Sequence, residues 1–295
     1  MLPALLFYAS LVNDVRALIQ SHNLAAADRA VRVTEAQSGA TPEVAAAISW
    51  LARGSFANRD YERADQYASE TRKLALELLK TRKLDDAWLA TALGASIEVH
   101  AQVLDARGER DSAVRFLRGE LAVYAATPIG ERIRKNLNLL DLTGKPAPAL
   151  DEKEWLGARP VPLASLRGHP VLLFFWAHWC PDCKSEAPVL ASVMREWGAK
   201  GLVLIAPTRL YGYAARGEEA PPAAERQYIE RVRHDFYPVL TNAAVPLSAA
   251  NFLEYGCSTT PTVVLIDPAG VVRLYHPGAI TEQELSGNLR RILAK

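Results

Sequence analysis

The chain is predicted to fold as an all-α domain followed by an α/β domain. Three observations predict this. Only Pro3, Pro42 and Pro128 of the 18 prolines precede residue 143; long helices exclude proline, and turn-rich α/β folds do not. Up to residue 142 the apolar residues recur at helical spacing, broken by short polar joints. Beyond it, the apolar run Val171 to Trp176 reads as a buried strand, and a helical pattern through Ala187, Leu190, Val193, Met194 and Trp197 follows it.

Each helix has a start or stop signal. Asp14 to Gln20 completes a first helix, to which the apolar stretch Leu2 to Val12 is expected to contribute. Leu24 to Ala36 forms a second, ending near Gly39. Thr41-Pro42-Glu43 opens a third, with Thr41 as N-cap and Pro42 at the first helical position. Asp60 to Leu79, Asp85 to Ala106 and Glu109 to Ala125 give three more, and Gly130 to Leu140 a short last one. The stretch Leu142 to Pro148 carries two prolines and a glycine and divides the domains into residues 1–142 and 143–295.

In the second half, Gly201 to Ala206 is expected as a strand and Pro238-Val239-Leu240 as a short strand or the approach to one. Ala224 to Phe236 and Ser248 to Tyr255 are expected as helices. Thr262 to Ile266 and Val271 to Tyr275 read as a hairpin turned by Asp267-Pro268-Ala269-Gly270, and Thr281 with Glu284 starts the last helix. Residues 207–224 are irregular and too long for an ordinary connection, so they are expected to form an exposed loop at the edge of the site.

Composition narrows the function. The formal net charge is +1, and residues up to 142 hold 18 basic and 18 acidic side chains. Neither half is basic, which speaks against nucleic acid and against an anionic membrane surface. The apolar start is too short to span a bilayer. Three cysteines, two of them paired as Cys180-Pro181-Asp182-Cys183, suit a redox pair with one left over. A zinc site usually needs four ligands, and no second cluster has matching spacing.

The pair stands where a strand hands over to a helix. Two cysteines three apart on a first helical turn can close a small disulfide ring. The first faces unpaired N–H groups and the positive end of the helix dipole, which favours the nucleophilic thiolate. Asp182, between them, opposes this by its charge and predicts a more reducing couple.

Phe175-Trp176-Ala177-x-Trp179-Cys180-x-x-Cys183-Lys184 resembles the active-site segment of the thioredoxin superfamily. Tyr255-Gly256-x-x-x-x-Pro261-Thr262, with Asp267-Pro268-x-Gly270 after it, matches a second segment of that family. Gly144-x-Pro146-Ala147-Pro148 with Val161-x-Leu163-x-x-Leu166-x-Gly168 looks like the N-terminal hairpin of redoxin domains. Glu186 and Pro188 stand at the offsets of the TlpA-like branch, reductases of the bacterial cell envelope. The resemblance covers residues 143 to 295 and implies a thioredoxin-like α/β domain there, a central mixed sheet flanked by helices.

The resemblance implies a thiol–disulfide oxidoreductase acting on disulfides of partner proteins, with no cofactor. Cys180 is then the attacking thiol and the more exposed of the two, and Cys183 the resolving one. Pro261 is cis in that family, and Thr260 before it offers backbone to an extended substrate segment. Thioredoxins proper keep a buried aspartate in the strand before the motif; Phe174 stands there here, so Glu186 is assigned the proton relay. Trp179 borders the docking surface, and Trp176 belongs to the core. His178 is expected to be an exposed polar residue. Cys257, four residues before Pro261, is expected as a buried small apolar residue, with a third redox thiol as the alternative.

In the helical half, Asp60-Tyr61-Glu62-x-Ala64 and Gly108-Glu109-Arg110-x-x-Ala113 resemble tetratricopeptide turns, with irregular spacing. This implies a platform for a protein partner or for self-association; a plain helical bundle is the alternative. Three functional rivals stand beside the oxidoreductase. A peroxiredoxin-type peroxidase would need a threonine where Ala177-His178-Trp179 stand. A metallochaperone would recruit a histidine such as His276. A helical binding module could use the pair as a switch. The family points to the periplasm or cell envelope, and the residues leave the cytoplasm open.

Overall fold

The computed structural model describes residues 10–293. The chain divides into two compact units, one ending at Asn136 and the other beginning at Leu137. The part of the first expected helix before residue 10 lies outside the described residues.

The first unit is helical throughout. Its elements are α1 (Leu11–Gln20), α2 (Leu24–Ser38), α3 (Pro42–Ala57), α4 (Tyr61–Leu78), α5 (Ala87–Ala106), α6 (Arg110–Tyr124) and the start of α7 (Gly130–Asp141). The caps explain the boundaries. Asn23, Thr41, Asp60 and Asp86 each accept a backbone N–H of the helix they open. Buried alanines let the helices approach closely: Ala52 of α3 and Ala64 and Ala68 of α4 pack with Val99 and Val103 of α5. At Gly54 in α3 an added Cβ would lie 3.1 Å from the Ile19 side chain, so a larger residue would push α1 away. On α5, Glu98 is bound by Arg132 Nε at 2.6 Å and by Lys135 Nζ at 3.1 Å.

The second unit contains a six-stranded sheet: β1 (Trp155–Gly157), β2 (Val171–Phe175), β3 (Val203–Ile205), β4 (Ala244–Pro246), β5 (Thr262–Ile266) and β6 (Val272–Pro277). Their order across the sheet is β1-β4-β3-β2-β5-β6. β2, β3 and β4 are parallel, whereas β5 runs antiparallel to β2, β6 to β5 and β1 to β4. Helices α8 (Pro181–Trp197), α9 (Pro222–Phe236), α10 (Ala249–Tyr255) and α11 (Glu282–Leu293) complete it.

The all-apolar strands are explained by burial on both faces. Leu172, Phe174 and Trp176 from β2 and its end point into one core with Val263 and Leu265 of β5, against residues of α8, α9 and α11. Val171, Leu173 and Phe175 point into the other core with Val264 and Ile266, against Phe252 and Tyr255 of α10.

Of the two readings of Pro238–Leu240, the approach to a strand holds: it is a 3₁₀ turn, and the strand itself is Ala244–Pro246. Pro238 supplies no N–H for a ladder, whereas Ala244-Val245-Pro246 lies in register with β1. One local expectation is corrected: the redoxin-like N-terminal hairpin is not formed. Leu163–Leu166 is a 3₁₀ turn, and β1 pairs instead with β4, Leu156 opposite Val245.

Candidate functional site

The register of the sheet builds the site. Phe175, the last residue of β2, is paired with Thr262, the first of β5. The loop leaving β2 therefore meets the segment entering β5, although the two are some eighty residues apart. Cys180 and Cys183 are joined in a disulfide. The Cys180 sulfur lies 3.4 Å from the carbonyl oxygen of Thr260, and the Thr260–Pro261 peptide bond is cis.

Local rules place the pair. Cys180 is the N-cap of α8 in extended conformation, and Pro181 takes the first helical position, where a missing N–H costs nothing. The Cys180 sulfur accepts the amide of Cys183 at 3.1 Å. Asp182 is exposed in the first turn of α8. Both cysteines are buried, Cys180 2 % exposed and Cys183 0 %. Cys180 is the more exposed of the two, as expected, but only slightly: in the disulfide, with the Thr260 carbonyl alongside, it is nearly closed from solvent.

Trp176 is wholly buried, as expected of a core residue, and its indole donates to the Ala206 carbonyl at 3.0 Å. Trp179 is 46 % exposed beside the disulfide. Glu186 lies one turn past Cys183 and is 3 % exposed. Its Oε1 accepts the amide of Ile280 at 3.2 Å. Burial raises its pKa above the usual carboxylate range, partly offset by the Ile280 bond and the nearby His276. Phe174, at the position of the family's strand aspartate, is fully buried.

His178 is corrected most sharply. It is fully buried, not exposed. Its Nε2 lies 3.1 Å from Glu225 Oε1, and its ring meets the rings of Tyr211, Tyr213 and Tyr228 edge-on. Burial lowers its pKa below the ordinary imidazole value, against the pull of Glu225. Glu225 itself was not singled out from the sequence. A glutamate in the first turn of α9 reads as a solvated helix-start residue, and only the fold turns it inward. Cys257 is buried in the core on the opposite face of the sheet from the disulfide, with Phe252, Tyr255 and Tyr275. It is not disulfide-bonded. Among the described residues no group of three His, Cys, Asp or Glu side chains is arranged to hold a metal, and no helix is long and apolar enough to cross a membrane. His276 sits 3.9 Å from Glu284.

Comparison with known proteins agrees with this geometry. The profile of the AhpC/TSA family matches residues 143–209. The chain is 30 % identical over 131 residues to the thiol:disulfide interchange protein DsbE of Xylella fastidiosa, a match spanning 44 % of this chain and 57 % of that protein. It is 27 % identical over 130 residues to the thiol-disulfide oxidoreductase ResA of Halalkalibacterium halodurans, spanning 44 % and 66 %.

The second unit is similar to the AhpC/TSA family and to thiol–disulfide oxidoreductases.

A crystal structure described as a putative DsbE from Chlorobium tepidum overlays 51 % of this chain and 97 % of its own, at 24 % identity and a TM-score of 0.39. The chain spans little more than half the length of the DsbE proteins of Xylella fastidiosa. Within the thioredoxin-like unit, the disulfide, the Thr260–Pro261 segment and the buried Glu186 all lie at the end of the sheet where β2 finishes and β5 begins.

Proposed function

We propose that the thioredoxin-like unit is a thiol–disulfide oxidoreductase that reduces disulfides in partner proteins through the Cys180–Cys183 couple. The observation that carries this reading is the pair itself: two cysteines closed into a disulfide at a helix N-terminus, with the Thr260 carbonyl 3.4 Å from the first sulfur. The relatives named as interchange proteins and oxidoreductases support it.

In the reduced form the Cys180 thiolate attacks one sulfur of a substrate disulfide. The other substrate sulfur leaves as thiolate and takes a proton. Cys183, deprotonated with Glu186 as the assigned acceptor, then attacks the Cys180 sulfur of the mixed disulfide and releases the second substrate thiol. The substrate gains two electrons and two protons, and Cys180–Cys183 ends oxidised. A donor dithiol must restore it. An extended substrate segment running beside Thr260 would bring its disulfide to Cys180. The chain is assigned to the bacterial envelope by the same resemblance, and the two domains of the proposal are residues 1–142 and 143–295.

Equilibration in defined dithiothreitol and glutathione buffers tests this. A reversible two-electron transition near or below about −250 mV is the expected result. A value above about −180 mV would make the protein an oxidant or isomerase. No reversible transition would overturn the oxidoreductase reading altogether.

A further inference from the structure

Within residues 207–224, expected as an exposed loop at the edge of the site, the stretch 208–220 is held in a defined shape by hydrogen bonds. Thr208 Oγ1 donates to the Trp176 carbonyl at 2.8 Å, tying the loop to the end of β2. Tyr213 and Glu219 form an antiparallel bridge, and Ala220 N donates to the Gly212 carbonyl at 3.0 Å, so the segment doubles back as a small hairpin. Its base is held by one buried carboxylate. Glu225 Oε1 accepts the Tyr211 amide at 2.5 Å, and Oε2 accepts the Gly212 amide at 2.8 Å. Its third partner is His178, two residues before Cys180.

A carboxylate with no solvent exposure is costly unless its oxygens are filled. Here the Tyr211 and Gly212 amides come from the hairpin and His178 from the motif segment, so the carboxylate joins the two. Tyr211, fixed by this bond, sets its ring 5.6 Å from Trp179, the exposed tryptophan next to Cys180. The sequence of contacts is therefore Glu225, Tyr211, Trp179, then the reactive pair.

We propose that Glu225 is a positioning residue that holds the Tyr211–Ala220 hairpin as one wall of the mouth over the disulfide, and that this wall selects polypeptide disulfides over small ones. The inference rests on the oxidoreductase reading. A protein segment lying along Thr260 would meet Trp179 and Tyr211; a small disulfide reaches the sulfur without touching them.

The test uses the full chain with two variants, Glu225→Gln and Tyr211→Ala. Insulin serves as the protein disulfide and oxidised glutathione as the small one, and each rate is normalised to the enzyme's own. Glu225→Gln keeps shape and loses one acceptor for the hairpin amides. The ratio of insulin kcat/KM to glutathione rate is expected to fall about tenfold, through KM, in both variants. Trypsin is expected to cut after Arg216, exposed in the hairpin, faster in Glu225→Gln than in the wild type. An unchanged ratio in Tyr211→Ala overturns the proposal, as does a proportional fall of both rates, which is what general loosening of the fold produces. Tyr211→Ala leaves the carboxylate cluster's acceptor intact, so it decides the matter if Glu225→Gln does not fold. Absence of any reversible couple in the wild type would instead overturn the oxidoreductase reading itself.

Discussion

Glu186 Oε1 accepts the amide of Ile280 at 3.2 Å, inside the core that also holds Cys183. The bond ties α8, one turn past Cys183, to the segment that leads into α11. A buried carboxyl with one amide partner holds its proton above the ordinary carboxylate range.

This yields a signed prediction. Between the usual glutamate pKa and the raised one, the folded state binds more protons than the unfolded state, so stability falls as pH rises through that window. Glu186→Gln is expected to remove this decline in urea melts taken across pH 4–8. It is also expected to slow resolution of the mixed disulfide by roughly 10²-fold, the usual scale of a general base. An unchanged pH profile of insulin reduction would remove Glu186 from the relay.

His178 carries the opposite sign. Burial lowers its pKa, with Lys184 acting the same way and Glu225 opposing. Below the ordinary imidazole range the unfolded state binds the extra proton, so stability rises with pH through that range and is lost on acidification. His178→Thr is expected to flatten the acid limb below the ordinary imidazole pKa of about 6.5. Thermal melts at fixed ionic strength read this directly, and a limb as steep as wild type would refute it.

Asp182 is exposed in the first turn of α8, two residues after Cys180. Its charge disfavours a thiolate there. Asp182→His is expected to stabilise the reduced form and shift the couple in the oxidising direction by about 30–100 mV. Redox titration checks it; no shift, or a more reducing value, would remove Asp182 from the control of the couple.

In the helical unit Glu98 is the site to perturb. Burial opposes its ionisation, but Arg132 and Lys135 outweigh that and hold its pKa down at about 2. Glu98→Gln would leave two largely buried cations without their counter-charge. A loss of about 2–4 kcal/mol in chemical denaturation is expected. Spectroscopy of this unit should show the loss while the Cys180–Cys183 potential stays put.

Much of this was legible in the chain. The helices of the first unit follow their caps and proline signals, because capping and helical periodicity act within one or two turns. The strand Val171–Phe175 was readable for the same kind of reason: a short apolar run bounded by breakers, ended by a cysteine pair on a proline-started helix. The strand at Ala244–Pro246 was not, since three residues carry no period and their state is decided by pairing with β1.

The site divided along the same line. Residue order by itself determined that Cys180 and Cys183 face each other across one helical turn, and that Glu186 stands a turn further on. Only the tertiary structure decided which side chains enclose them. His178 looked like a solvent-facing polar residue, and Glu225 like a solvated helix start. Burial belongs to an environment assembled from β2, the hairpin after β3 and α9, residues far apart in the chain. Neither local propensity nor spacing encodes which of them meet. The closure of Cys180 beneath Thr260 has the same origin: the antiparallel register of β2 with β5 brings together segments that no local rule connects.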